Sequence, residues 1–62
     1  MKRKVTITMN SGRVYEFNND SNLTNLELCD NMTKCNYYII HGNCEQIINT
    51  KYIEFINIVN LD

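Results

Sequence analysis

Residues 5–17 of the chain, VTITMNSGRVYEF, decide the fold. Their first half alternates valine, isoleucine and methionine with threonine, the period-two pattern of a strand with one buried face. The second half places Val14, Tyr15 and Phe17 in another β-rich run. Between the two halves stands Asn-Ser-Gly, which is typical of a turn. The stretch therefore predicts a β-hairpin.

Two turn geometries are compatible with this hairpin. A two-residue loop at residues 11–12 would pair Met9 with Val14. A three-residue loop, with Gly12 in the left-handed conformation, pairs Met9 with Arg13 instead. The second register also places aromatic side chains beside the buried aliphatic ones, with Tyr15 next to Ile7 and Phe17 next to Val5. Because the apolar face sets the register of a hairpin, we predict the three-residue loop.

A helix start follows the hairpin. Thr24 and Glu27 fit a capping box, in which the Thr24 hydroxyl accepts from the amide of Glu27 and the Glu27 carboxylate accepts from the amide of Thr24. The helix is predicted over residues 25–34. Because a helix this short is marginal alone in water, it must pack on the sheet. Its apolar stripe comprises Leu28, Met32 and Cys35.

Three further strands are predicted after the helix. Residues 37–41 form a β-rich run, and Gly42-Asn43 is typical of a two-residue type II′ hairpin loop. Residues 44–48 then return as the next strand, and residues 52–59 form the last one. The resulting ββαβββ order predicts a single small α+β domain over residues 1–62. We expect a strongly bent antiparallel sheet or an open SH3-like barrel with one short helix.

Composition limits the classes of function. The chain has 62 residues, with 7 acidic and 6 basic side chains and a formal net charge of −1. Generic polyanion binders usually carry a clear basic excess, which is missing here. A domain of this size buries only roughly 60% of the surface that its unfolded chain exposes. Self-association is therefore the expected additional source of stability.

Cysteine content and apolar patterning indicate the compartment. Three cysteines cannot all pair, and no apolar run approaches the ~20 residues of a membrane span. Residues 5–9 are too short for the apolar core of a signal peptide. We therefore expect a cytoplasmic protein of a bacterial host cell. Eleven asparagines and eight isoleucines, with no alanine, proline or tryptophan, indicate an AT-rich bacterial or phage genome.

The residues that could carry chemistry are few. His41 and Cys44 flank the predicted tight turn, close enough to share a metal or to form a thiolate–imidazole pair. Cys35 lies six residues before His41, about 20 Å away along a strand, whereas a zinc ion needs three or four ligands. We therefore expect the cysteines to be small apolar side chains, and we expect no metal, no cofactor and no enzymatic activity.

Basic residues are concentrated near the N-terminus. Strand alternation places Arg3 on the side of Val5 and Ile7, and places Lys2 and Lys4 on the opposite side. An alternative function is therefore a small-barrel nucleic-acid-binding protein, in which tyrosines stack on bases and phosphates are bound by Lys2, Lys4 and Arg13. A second alternative is an oligomer that sequesters a small ligand.

Apolar side chains are expected on both faces of the sheet, whereas a single helix covers one face. Val14, Ile40 and Ile47 are assigned to the faces opposite the main apolar rows, and Tyr38 and Tyr52 are the candidate interface anchors. The leading hypothesis is a non-enzymatic protein-interaction module. We expect a homodimer that also binds another protein, as a phage-encoded or mobile-element inhibitor or adaptor that acts by steric blocking of a host protein.

Overall fold

A computed structural model describes residues 2–61 and confirms a small α+β domain with the predicted order of elements. A short 3-10 helix, Thr50–Tyr52, precedes the last strand. The remaining elements are β1 (Lys2–Met9), β2 (Val14–Asp20), α1 (Asn25–Thr33), β3 (Tyr37–Ile40), β4 (Gln46–Asn49) and β5 (Ile53–Asn60).

The described strands form two antiparallel sheets. Strand β1 lies at the centre of a three-stranded sheet with the order β2-β1-β5, while β3 and β4 pair with each other in a separate two-stranded sheet. Buried side chains of both sheets and of α1 meet in one core, which comprises Val5, Ile7, Met9, Leu28, Met32, Ile40 and Ile48. The helix therefore lies at a core to which both sheets contribute.

The β1–β2 hairpin has the predicted three-residue loop. The amide of Met9 donates to the carbonyl oxygen of Arg13 at 2.8 Å, and Gly12 has a φ of 92°. A left-handed backbone at this position favours glycine, because a Cβ atom would be strained there. The predicted cross-strand neighbours are confirmed, with Ile7 opposite Tyr15 and Val5 opposite Phe17.

A β-bulge places the start of β5 in the core. Thr8 lies opposite Phe55, whereas the next residue of β1, Met9, lies opposite Ile53, so that Glu54 is the additional residue. Without the bulge, strict alternation would put Ile53 on the outer face. With it, Ile53 packs against the core together with Ile56 and Ile58.

The capping box of α1 is confirmed. The Thr24 hydroxyl accepts from the amide of Glu27 at 3.1 Å, and the amide of Thr24 donates to the Glu27 carboxylate at 2.9 Å. This backbone hydrogen bond is the main cause of the lowered pKa of Glu27. The helix ends at Thr33, one residue before the predicted end. Cys35 consequently lies beyond the helix and is exposed, so its predicted place on the buried stripe is wrong.

Removing the N-cap hydroxyl tests this start signal. We expect Thr24→Ala to lower the free energy of unfolding by about 1 kcal/mol, because the amide of Glu27 loses its acceptor. Thr33→Ala is the matched control: its hydroxyl donates to the Cys29 carbonyl at the other end of α1, a bond that contributes little to helix stability. Urea unfolding followed by circular dichroism compares the two. Equal losses in both variants would contradict the assigned cap.

Arg3 lies on the inner row of β1, as predicted, and is fully buried. Its guanidinium donates from Nε to Asn19 Oδ1 at 3.1 Å and from one terminal nitrogen to Asn25 Oδ1 at 2.7 Å. The other terminal nitrogen donates to Ser21 and to the carbonyl oxygen of Leu23. Every acceptor that the described residues offer Arg3 is neutral. We call this arrangement the arginine cage; its acceptors belong to Asn19, Ser21, Leu23 and Asn25.

The β3–β4 turn differs from the prediction. Ile40 pairs with Gln46, so the loop comprises residues 41–45, and Gly42 does not have a positive φ. The predicted two-residue type II′ turn is therefore wrong. Because the longer loop shifts the pairing by one residue, Tyr38 lies opposite Ile48. A one-residue shift exchanges the faces of a strand.

The predicted outward positions of Tyr38 and Ile40 are wrong for this reason. Ile40 is buried in the core, and Tyr38 is half-buried with its ring centroid 6.1 Å from that of Phe17. Desolvation raises the pKa of the Tyr38 phenol. The two residues of β3 that face outward are instead Tyr37 and Ile39.

Candidate interaction surface

The outer face of the β3–β4 sheet carries three exposed apolar side chains. The exposed fractions are 62% for Tyr37, 42% for Ile39 and 65% for Ile47. Ile39 lies directly opposite Ile47, and Tyr37 is two residues from Ile39 on the same side of β3. The three side chains are therefore neighbours. We call this surface the hairpin face; it comprises Tyr37, Ile39 and Ile47.

The same residues carry backbone groups that point away from the β3–β4 ladder. The amide of Thr50 donates to the carbonyl oxygen of Asn36, which identifies this pair as hydrogen-bonded. Because hydrogen-bonded and non-hydrogen-bonded pairs alternate, the Ile39–Ile47 pair is of the second kind. Its amides and carbonyls, like those of Tyr37, point to the edges of the sheet. Within residues 2–61 they make no other backbone hydrogen bond.

Neither strand carries a charged residue or a proline. The sequences are YYII in β3 and QIIN in β4. Edge strands are usually protected from pairing with other chains by charges, prolines or bulges. Here the charges lie beyond the strand ends, where His41 Nδ1 is 2.9 Å from Glu45 Oε2 in the loop and Lys51 follows β4. The hairpin face is thus an apolar area without a charged side chain on its own two strands, and Glu45 and Lys51 lie beyond the strand ends.

A second apolar area lies on the outer face of the three-stranded sheet. Val14 and Phe55 flank Thr8 there, and both are exposed. Farther along this face, Lys4 forms an ion pair with Glu16 at 3.3 Å. Val14 and Ile47 therefore both face outward, as strand alternation predicts, but on different sheets.

Tyr52 lies apart from both areas. It is exposed in the 3-10 helix, its carbonyl oxygen accepts from the amide of Asn10, and Lys51 Nζ is 5.5 Å from its ring centroid. It borders an open cavity of about 450 Å³ next to the β1–β2 turn, which is lined by Met9, Asn10, Ser11, Arg13, Tyr15 and Tyr52.

The basic residues of the nucleic-acid hypothesis do not form one patch. Lys2 and Lys4 share the outer face at the start of β1, whereas Arg13 follows the other end of that strand. At ~3.3 Å per residue, Lys2 is about 23 Å and Lys4 about 16 Å along the strand from Met9, the residue opposite Arg13. Lys4 is already paired with Glu16, and a hydrogen bond with Tyr15 raises the pKa of Arg13.

The cysteines and His41 are dispersed. Cys29 is half-buried, while Cys35 and Cys44 are exposed. His41 contacts Glu45, and the five-residue loop removes the predicted cross-strand pairing of His41 with Cys44. Over residues 2–61, no group of three or more His, Cys, Asp or Glu side chains is arranged to hold a metal ion.

Sequence reasoning missed two members of the hairpin face, Tyr37 and Ile39. The signal was ambiguous, because β3 places an aromatic residue and an isoleucine on each of its two faces. Within residues 2–61, no helix has the length and apolar content that crossing a membrane requires. Comparisons with protein-family models, with curated proteins and with solved structures find no match for this chain.

Proposed function

We propose that this chain is a non-enzymatic protein-interaction module that binds another protein through the hairpin face. The supporting observation is the contiguous, uncharged patch formed by Tyr37, Ile39 and Ile47 on a sheet whose other side is already used by the core. Scattered exposed apolar residues are common in proteins, whereas contiguous patches with a polar rim mark interaction sites.

Within this proposal, Tyr37 is the principal anchor. A tyrosine supplies a large rigid apolar ring and a hydroxyl that can stay in contact with water, which is why it is enriched at binding hot spots. Ile39 and Ile47 extend the apolar surface next to the Tyr37 ring. The charges of Glu45 and Lys51, beyond the strand ends, orient the partner and affect the association rate more than the affinity.

The biological setting of the proposal follows from size and codon usage. A domain of 62 residues from an AT-rich genome suits a phage or mobile-element protein that acts in the cytoplasm of a bacterial host. Its action is steric: it occupies a surface of a host protein as an inhibitor or adaptor. Self-association belongs to the same proposal, because a second chain adds buried area that so small a core does not provide.

A charge placed in the hairpin face tests the proposal. We expect Ile47→Lys to weaken partner binding by about 30-fold or more, because the partner would have to desolvate an unpaired ammonium group. Leu26→Lys is the matched control, since Leu26 is 74% exposed on α1 and lies outside the hairpin face. Proteins that the wild type and Leu26→Lys retain from a lysate of the source organism, and that Ile47→Lys loses, are purified and titrated by calorimetry.

The same titrations separate the alternatives. Equal affinities of Ile47→Lys and Leu26→Lys for every captured protein would exclude the hairpin face as the binding site. Oligonucleotide binding that falls steeply with salt would favour the nucleic-acid hypothesis. A small molecule that stays bound in native mass spectrometry would favour ligand sequestration.

A further inference from the structure

We propose that two copies of the chain pair through the exposed edge of β3, antiparallel across a twofold axis. This inference rests on the proposed function, because the same hairpin would bind the partner protein. Tyr37 and Ile39 each have an amide and a carbonyl that point to this edge, away from β4. An exposed edge of this kind is a template for strand addition.

The pairing register follows from these four backbone groups. With the twofold axis beside Tyr38, Tyr37 lies opposite Ile39 of the second copy. By symmetry, Ile39 lies opposite Tyr37 of the second copy. Both pairs are of the hydrogen-bonded kind, so that four main-chain hydrogen bonds form across the axis. On the outer face, each Tyr37 ring then contacts an isoleucine of the other copy, a favourable cross-strand combination.

The edge of β4 is the less suitable one. The equivalent register there places Ile47 opposite Asn49 of the second copy, because these are the two β4 residues whose backbone groups point outward. Both hydrogen-bonded pairs across that axis would then set an isoleucine against an amide, whereas both such pairs across the β3 axis set a tyrosine against an isoleucine. We therefore assign the self-pairing to β3 and leave β4 at the outer edge of the combined sheet.

The absence of charged residues on β3 favours a second copy of the chain as the pairing partner. The same strand meets itself in a twofold dimer, so any charge on it would lie close to a like charge. Strand β3 carries none. In this register Tyr37, Tyr38 and Ile39 each lie opposite a tyrosine or an isoleucine of the second copy, and Ile40 lies opposite Asn36.

The dimer would extend the hairpin into a four-stranded sheet. Isolated two-stranded sheets are marginal, whereas four strands that share one face support each other. The two hairpin faces would merge across the axis into one surface with two copies each of Tyr37, Ile39 and Ile47. The partner protein would then meet a surface twice as large as one chain offers.

Proline substitutions on the two edges test the assignment. Ile39→Pro removes an outward-pointing amide of β3, and Ile47→Pro removes the matching amide of β4; neither amide belongs to the β3–β4 ladder, so proline is tolerated at both positions. Sedimentation equilibrium is expected to show a wild-type dimer, a dissociation constant at least about tenfold higher for Ile39→Pro, and little change for Ile47→Pro. Circular dichroism checks that each variant is folded.

A second measurement does not depend on how well the prolines fold. In a mixture of isotope-labelled and unlabelled wild-type chains, isotope-filtered NMR is expected to show contacts between Tyr38 backbone protons of the two copies, where the Cα atoms approach to about 4.5 Å. A monomer at millimolar concentration would overturn the proposal. So would a dimer whose intermolecular contacts map to β4 or to Val14 and Phe55.

The outcomes for the dimer and for the proposed function are distinguishable. A monomeric wild type whose partner binding is still lost in Ile47→Lys would reject the edge pairing and support the hairpin face. A dimer with the expected Tyr38 contacts, whose partner binding is unchanged in Ile47→Lys, would support the edge pairing and reject the proposed function.

Discussion

Arg3→Ala is expected to lower the free energy of unfolding by about 3–5 kcal/mol, the largest effect of any single substitution proposed for this chain. The arginine cage joins β1 to the end of β2, to the following loop and to the first turn of α1. Truncation would remove the donors of the Leu23 carbonyl and of Asn25 Oδ1 and would leave a cavity in place of the buried Arg3 side chain, while Asn19 Oδ1 would keep the Ser21 hydroxyl as its donor. A loss of this size is comparable to the whole stability of a domain this small, so the variant should be largely unfolded.

Two further substitutions make the Arg3 prediction specific. Arg3→Lys keeps the charge but lacks the forked donors, so it is expected to remain strongly destabilised. Lys4→Ala changes the adjacent residue, whose ion pair with Glu16 is about half exposed, and should cost less than about 1 kcal/mol. Urea unfolding followed by circular dichroism measures all three. An Arg3→Ala variant as stable as Lys4→Ala would show that the cage does not stabilise the fold.

Adjacent isoleucines of β4 provide the second large prediction. Ile48→Ala is expected to cost about 2–5 kcal/mol, because Ile48 is 3% exposed in the core and its truncation leaves a cavity. Ile47→Ala, one residue earlier and 65% exposed, should change the stability by no more than about 0.5 kcal/mol. The pair is matched in residue type, strand and chemical change, so the difference reports only the face on which each side chain lies.

Thermal unfolding at several protein concentrations measures this pair, because a contribution from self-association would appear as a concentration-dependent Tm. The expected order is wild type, Ile47→Ala and then Ile48→Ala, with a large gap before the last. The reverse order would mean that β4 presents its other face to the core, and the hairpin face would then lose Ile47.

The first hairpin and the helix start could be predicted because each has one dominant local signal. The Asn-Ser-Gly turn allows two registers, and only one of them puts Tyr15 and Phe17 on the side of Ile7. Thr24 and Glu27 fit a reciprocal capping pattern that involves four consecutive residues and no distant contact. Local chemistry decides both features, so they are visible in the sequence.

The face assignment of β3 could not be predicted in the same way. Its sequence, YYII, gives an aromatic residue and an isoleucine to each face, so alternation alone does not choose between them. The choice depends on the length of the following loop, and Gly42-Asn43 suggested a tight turn where the chain forms a five-residue loop. The strand pairing is therefore shifted by one residue relative to the prediction, so that Tyr38 faces the core and Tyr37 faces outward.

Long-range features account for the other differences. The bulge at Glu54 depends on where β5 meets the end of β1, which local propensity does not encode. Similarly, alternation placed Arg3 on the inner row, but its complete burial depends on the loop after β2 that brings Ser21 and Leu23 to the guanidinium. Tertiary packing therefore decides both the position of the bulge and the burial of Arg3.

The neutral composition of the arginine cage has a consequence for acid resistance. A buried arginine held by aspartate or glutamate loses its partners when the solution becomes acidic, since the carboxylates take up protons. The acceptors that residues 2–61 offer Arg3 are amide, hydroxyl and backbone oxygens, which do not take up protons in the pH range where carboxylates do. The hydrogen bonds that attach β1 to the start of the helix therefore do not depend on a carboxylate, unlike the surface contact between Lys4 and Glu16.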